Sequence, residues 1–160
     1  MKLTIFLLLP LITSFLCCSN NSDEMSNKLK TIYYKNNSAD TLKLSTKQAA
    51  KIQAILKELF GKVDEELRLY LDSERIETLK VEDESVEFIF PQELSISVKT
   101  KYNIVFDRVI IPLSGDLSLS ENNNDAILIF GDKEYGSSPH LALNGNLLVK
   151  ELVDILKKSR

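Results

Sequence analysis

Val86-Glu87-Phe88-Ile89-Phe90-Pro91-Gln92-Glu93-Leu94-Ser95-Ile96-Ser97-Val98, followed after Lys99-Thr100-Lys101 by Tyr102-Asn103-Ile104-Val105-Phe106, is the stretch that decides the fold. Val86, Phe88 and Phe90 alternate with Glu87 and Ile89, and Leu94, Ile96 and Val98 alternate with Ser95, Ser97 and Lys99. Tyr102, Ile104 and Phe106 alternate with Asn103, Val105 and Asp107. A period of two sends successive side chains to opposite faces of a strand, so each run predicts a strand with one dry face. Pro91 has no N–H to give a ladder and is read as the end of the first run. The links are short, whereas parallel neighbours need a crossover of about a dozen residues or more, so the strands are expected to pair antiparallel.

Working outward, Val109-Ile110-Ile111-Pro112-Leu113 continues the apolar pattern, with Pro112 expected at an edge or a bulge. Leu117 and Leu119 suggest a further short strand. Ala126–Phe130 is continuously apolar and suits a central strand covered on both faces, followed by a turn at Gly131-Asp132-Lys133. Leu141 and Leu143 close the sheet region, and a helix follows over about Asn146–Lys158, with Leu148, Leu152, Ile155 and Leu156 as its stripe. Lys157, Lys158 and Arg160 place positive charge at its C-terminal end, where the helix dipole favours it.

Upstream, Leu67, Leu69 and Leu71 alternate like a strand, and Ser73–Lys80 is compatible with a short helix or a loop. Ser45 and Gln48 are spaced as a capping box, and Ile52, Ile55, Leu56, Leu59, Phe60 and Val63 form the face of an amphipathic helix that Gly61 ends. Thr31–Lys35 reads as a strand and Asn36-Asn37-Ser38 as a turn. The order strand, helix, several strands, helix predicts an α+β fold, mainly an antiparallel sheet with two helices packed on one face.

The first residues carry a different message. Lys2 precedes an apolar run from Leu3 to Leu16, which ends at Cys17-Cys18 and gives way abruptly to Ser19-Asn20-Asn21-Ser22-Asp23-Glu24. That run is short of the ~20 residues a spanning helix needs, and it matches the apolar region of an export signal. Phe15-Leu16-Cys17-Cys18-Ser19 resembles the end of a bacterial lipoprotein precursor signal. The resemblance implies a signal peptide over 1–17, cut before a lipid-bearing cysteine. Cys18 is the expected attachment site, because that family prefers a small residue before it, with Cys17 as the alternative. It also implies residence in the bacterial cell envelope, extracytoplasmic and held to a membrane by acyl chains such as palmitate. Each buried methylene contributes about 0.8 kcal/mol, so two or more chains hold firmly. Residues 18–28 then read as a polar tether and 29–160 as a single globular domain.

Composition narrows the chemistry. The 160-residue chain has a formal net charge of −3, and the segment up to Cys17 removes only Lys2, so the remainder is one unit more negative. A nucleic-acid partner would want a basic surface. No cysteine follows Cys18, which excludes a disulfide framework, and His140 is the single histidine. No metal site is expected from one histidine, and no cofactor, since no phosphate-cradling glycine motif occurs. Glu121-Asn122-Asn123-Asn124-Asp125 is rich in oxygen but lacks the spacing of a calcium loop, and reads as a solvated hairpin loop. Glu82, Asp83, Glu84 and Glu87 read as a solvated acidic turn, and Asp107-Arg108 as an ion pair or polar anchor.

The functional expectation is a lipid-anchored binding or protein-interaction module, not an enzyme, acting on another envelope protein. Sheet edges and the loops near Pro112 and Tyr135–His140 are the surfaces of interest. The alternative is a small hydrolase or transferase in which His140 activates Ser137 or Ser138 and Asp132 orients the ring. A third reading is an inhibitor of an exported hydrolase: the helix-then-sheet order loosely resembles cystatin-like inhibitors, although the Gln-x-Val-x-Gly loop of that family is absent.

Overall fold

A computed structural model describes residues 29–99, 101–118, 123–136 and 138–159. The readings placed on residues 1–28, on Leu119, on Glu121 and Asn122, on Ser137 and on Arg160 lie outside the described residues. The elements are β1 (Lys30–Lys35), β2 (Ser38–Leu42), α1 (Thr46–Gly61), β3 (Val63–Glu66), α2 (Ser73–Glu82), β4 (Ser85–Val98), β5 (Tyr102–Pro112), β6 (Ala126–Gly131), β7 (His140–Ala142) and α3 (Asn146–Lys157). The seven strands form one sheet in the order β2-β1-β4-β5-β6-β7-β3. Every neighbouring pair is antiparallel. The fold is therefore α+β, a seven-stranded antiparallel sheet with three helices.

Local chemistry explains the boundaries. Asn36 and Asn37 both take positive φ (50° and 60°) in the two-residue link between β1 and β2. Asparagine tolerates that left-handed conformation, and two such residues give the turn whose twist suits a hairpin. Ser45 Oγ accepts from the Gln48 N–H while the Gln48 side chain accepts from the Ser45 N–H, so the predicted capping box starts α1. Asp72 caps α2 by accepting from the Arg75 N–H at 2.8 Å.

Packing divides the apolar residues into two clusters. The larger joins Ile52, Leu56 and Leu59 of α1 and Leu152 and Leu156 of α3 to Val86, Phe88, Val109, Leu128 and Phe130 of the strands. The smaller joins Ile76 and Leu79 of α2 to Leu71, Ile110, Ile127, Ile129 and Tyr135. Leu128 and Phe130 enter one cluster and Ile127 and Ile129 the other, which is strand alternation at work. β6 is accordingly buried along its whole length, as its continuous apolar run predicts.

Three sequence expectations are corrected. The run 67–71 is not a strand: Leu67 N–H bonds the Pro139 carbonyl, Leu69 N–H folds back on the Leu67 carbonyl, and the pairing strand is the preceding Val63–Glu66. Five residues of alternation are too few to outweigh the turn the chain must make from β3 to the Asp72 cap. Leu117 lies in a turn rather than a strand. Ser73–Glu82 takes the helical one of the two forms its sequence allows, so the described helices number three.

The third correction has the most consequence. Pro91 does not end its strand, and β4 runs on to Val98. The register moves from Ile89↔Arg108 to Leu94↔Phe106, so three more residues are used on β4 than on β5. Pro91 falls inside that bulge, where its missing N–H breaks no ladder bond. The bulge bends the outer halves of β4 and β5 into an arm. Leu94, Ile96 and Ile104 of the arm pack partly buried against the larger cluster, with Val98 and Phe106 fully inside it. At its tip Lys99 ion-pairs with Asp64 of β3. The two outermost strands are charged or exposed: β2 carries Asp40, and β3 carries Asp64, Glu65 and Glu66.

Candidate functional site

Three places concentrate chemistry. The first is His140, which begins β7 opposite Leu128 and Glu66. It is only 5% exposed, and its ring lies 5.5 Å from that of Phe130 and 6.2 Å from that of Tyr102. Neither ring nitrogen has a partner at hydrogen-bond geometry. Burial pushes its pKa below the ordinary histidine value, and the Glu66 carboxylate and the Ser138 backbone only partly oppose this. His140 and exposed Asp132 do line one cavity of about 260 Å³. Ser138 is half-buried, and no hydrogen bond joins it, His140 and Asp132 as a relay among the described residues.

The lowered pKa gives a signed expectation. The unfolded chain takes up a proton near pH 6.5 while native His140 resists it, so stability is fully present above about pH 6.5 and falls as pH drops below it. The melting temperature is expected to fall from pH 7 to pH 5, and to fall less in His140→Phe. Equal slopes in the two proteins would show that His140 protonates freely in the native state.

The second place is the buried carboxylate of Glu87, which the sequence places in a solvated acidic turn. It is 3% exposed instead, because β4 alternation turns it toward the face opposite Val86 and Phe88. It accepts from the Tyr34 hydroxyl at 2.6 Å and the Tyr135 hydroxyl at 2.8 Å, and Lys80 Nζ lies at 3.7 Å. The Lys80 ammonium also sits over both rings, 5.4 Å from Tyr34 and 5.2 Å from Tyr135. Burial and Glu87 both raise the pKa of each tyrosine, so the hydroxyls stay protonated as donors. Beside them Asp107 and Arg108 form the expected ion pair, at 2.7 Å and 3.2 Å, within β5. Arg108 and the Lys133 N–H both hold the Asp107 carboxyl below its ordinary range, with Arg108 the larger cause. The carboxylates and hydroxyls of this cluster all have internal partners, so it reads as a polar tie between β1, α2, β4 and the loop after β6.

The third place is a groove of about 750 Å³ between α1 and the arm of β4. Its helical wall is built of small residues, Ala50, Ala54 and Gly61, with Gln53 and Lys57 among them. Phe60 and Phe90 form its floor, with ring centroids 6.1 Å apart. Leu94, Ser95, Ile96 and Ser97 form the far wall. Gln53 Nε2 is buried without a hydrogen-bond partner, and Lys57 is the one charged lining residue. A groove of this size, apolar with a few placed polar atoms, is the usual form of a binding site.

Sequence reading missed this groove. Its signal was present in α1, where Thr46, Ala50, Gln53, Ala54, Lys57 and Gly61 share one helical face. Reading 86–90 and 94–98 as two separate strands does not show that they are one strand running alongside this helical face. Another cavity, about 360 Å³, touches Pro112, Glu84 and Lys157, so the loop near Pro112 is concave as well. Among the described residues no cluster of histidine, cysteine and carboxylate suits a metal ion. No helix of the described chain is long and apolar enough to cross a membrane. Comparison with family models, curated proteins and solved structures finds no match to this chain.

Proposed function

We propose that the protein is a lipid-anchored, extracytoplasmic binding module of the bacterial cell envelope that works by protein recognition rather than by catalysis. The observation that carries the binding half is the apolar groove between α1 and β4, with its unpartnered Gln53 amide. The anchoring half rests on the sequence Phe15-Leu16-Cys17-Cys18-Ser19 and the polar residues that follow. In this reading Cys18 bears the lipid, residues 18–28 space the domain from the bilayer, and α1 and α3 form a two-helix layer on one face of the sheet. The layer supports the groove, because α1 is both a core helix and a groove wall.

Cys18→Ala is the direct test of the anchor. The wild-type protein is expected to fractionate with membranes and to take up labelled fatty acid, and the variant to lose both. Retention of both in Cys18→Ala with loss in Cys17→Ala moves the attachment to Cys17. Retention in the double variant ends the anchoring proposal.

A second reading has one observation in its favour: His140 and Asp132 line a common cavity. On that reading the protein is a small hydrolase or transferase using Ser137 or Ser138. An activity on ester or amide substrates that disappears in His140→Phe, with the melting temperature kept at pH 7, would establish it in place of the binding module.

A further inference from the structure

We infer that the groove takes an extended segment of a partner polypeptide, which adds as a strand to the edge of β4 that no described strand covers. The inference rests on the binding-module reading and names its partner chemistry.

The edge comes first. β1 pairs with β4 only as far as Lys30↔Ile89, whereas Leu94–Val98 pair with β5 on the other side. Among the described residues no strand covers the β1 side of β4 beyond the bulge. A strand directs its N–H and C=O groups alternately to its two sides, so this length offers unpaired donors and acceptors to an incoming chain. The groove lies along that edge. Leu94, Ser95, Ile96 and Ser97 all line it, and successive strand residues point to opposite faces. A space touched by four in succession meets the strand along its side, not on one face.

The opposite wall makes room. Ala50, Ala54 and Gly61 keep side chains short where an added strand would lie beside α1. Phe60 and Phe90 then take apolar side chains from alternate positions of the segment. Lys57, with no ion-pair partner among the described residues, favours an acidic residue, and Gln53 Nε2 offers a donor to a side-chain or backbone carbonyl. Strand addition beside a helix is a recurrent way of recognising peptides, with backbone bonds supplying affinity and pockets supplying specificity. Residues 19–27 of the chain itself are a poor occupant, since they are Ser, Asn, Asp and Glu apart from Met25. An acyl chain would fill the floor but leave the strand edge unused.

The test uses the full-length chain as it fractionates, in phosphatidylcholine vesicles or in buffer. The probe is a fluorescein-labelled octapeptide of alternating Val and Thr with one central Asp, read by fluorescence anisotropy. Saturable binding is expected, weakened about tenfold or more when alternate peptide nitrogens are methylated, since that removes backbone donors and keeps every side chain. Ala54→Trp, at an exposed helical position, is expected to fill the groove and abolish binding at unchanged melting temperature. Lys57→Glu is expected to reverse the preference between the Asp peptide and a Lys peptide. Binding that survives N-methylation, or survives Ala54→Trp, overturns strand addition. Displacement of the peptide by palmitate with no N-methyl effect assigns the groove to acyl chains and also overturns it. Binding that appears only after residues 19–27 are replaced by glycine and serine assigns the edge to the protein's own segment, and overturns the partner strand in the same way. Fatty-acid labelling of Cys18 is scored separately, so failure of the peptide and failure of the anchor are told apart.

Discussion

Phe106→Ala is expected to cost about 3–5 kcal/mol of folding stability, measured by urea unfolding with the change in midpoint converted at constant slope. Phe106 is fully buried at the root of the arm. Its ring centroid lies 5.2 Å from that of Phe60, 5.9 Å from Phe90 and 4.6 Å from Phe130. Truncation removes contacts to a helix and two strands at once. Those neighbours cannot all close on the space, because each is fixed by its own ladder or turn. A domain of this size holds about 5–15 kcal/mol in total, so the variant should sit near the edge of folding. Phe106→Leu keeps most of the apolar bulk and should cost less. A loss below about 0.5 kcal/mol for the alanine variant, the range of an ordinary surface change, would mean that the arm does not rest on α1.

The second large effect is expected at Glu87. Glu87→Ala removes the acceptor shared by Tyr34 and Tyr135 and the carboxylate facing Lys80. Breaking one partner of a buried charge pair costs about 3–5 kcal/mol. The lower end is expected here, since Lys80 keeps Glu77 at 3.6 Å. Replacing the set together, with Glu87→Leu, Lys80→Met, Tyr34→Phe and Tyr135→Phe, should recover much of that loss, because no stranded polar group remains. The tyrosines add a pH signature of the opposite sense to that of His140. Native Tyr34 and Tyr135 hold their protons more tightly than the unfolded chain does. Their contribution is therefore complete below about pH 10 and is lost as pH rises above it. Alkaline unfolding should begin at lower pH in Glu87→Ala. A variant as stable as the parent across this range would show that the carboxylate is not engaged.

Much of the fold was legible because the deciding patterns were long. Alternation from Val86 to Phe106, the capping box at Ser45 and the continuous run at Ala126–Phe130 each repeat one physical rule several times over. What failed was short or depended on a partner distant in sequence. Leu67–Leu71 alternates only because Leu71 dives into the second cluster and Leu67 hangs from Pro139. Glu87 looked solvated because the two tyrosines and the lysine that receive it come from three other parts of the chain. Pro91 stopped the reading of β4 because a proline within a ladder is costly, and a bulge that makes it harmless leaves no local mark. The groove was lost with it, since its far wall is placed beside α1 only when 86–98 is one continuous bulged strand. His140 drew attention as a lone titratable group, and the fold answers with a buried ring among aromatics.

The acidic β3 margin bears on how neighbouring copies behave. On a bilayer, as proposed, molecules would share one plane and approach one another side by side. Two copies meeting margin to margin at β3 would bring Glu65 and Glu66 of each against those of the other, and like charges directly opposed across a strand pair repel. Dense populations should therefore stay dispersed along that rim.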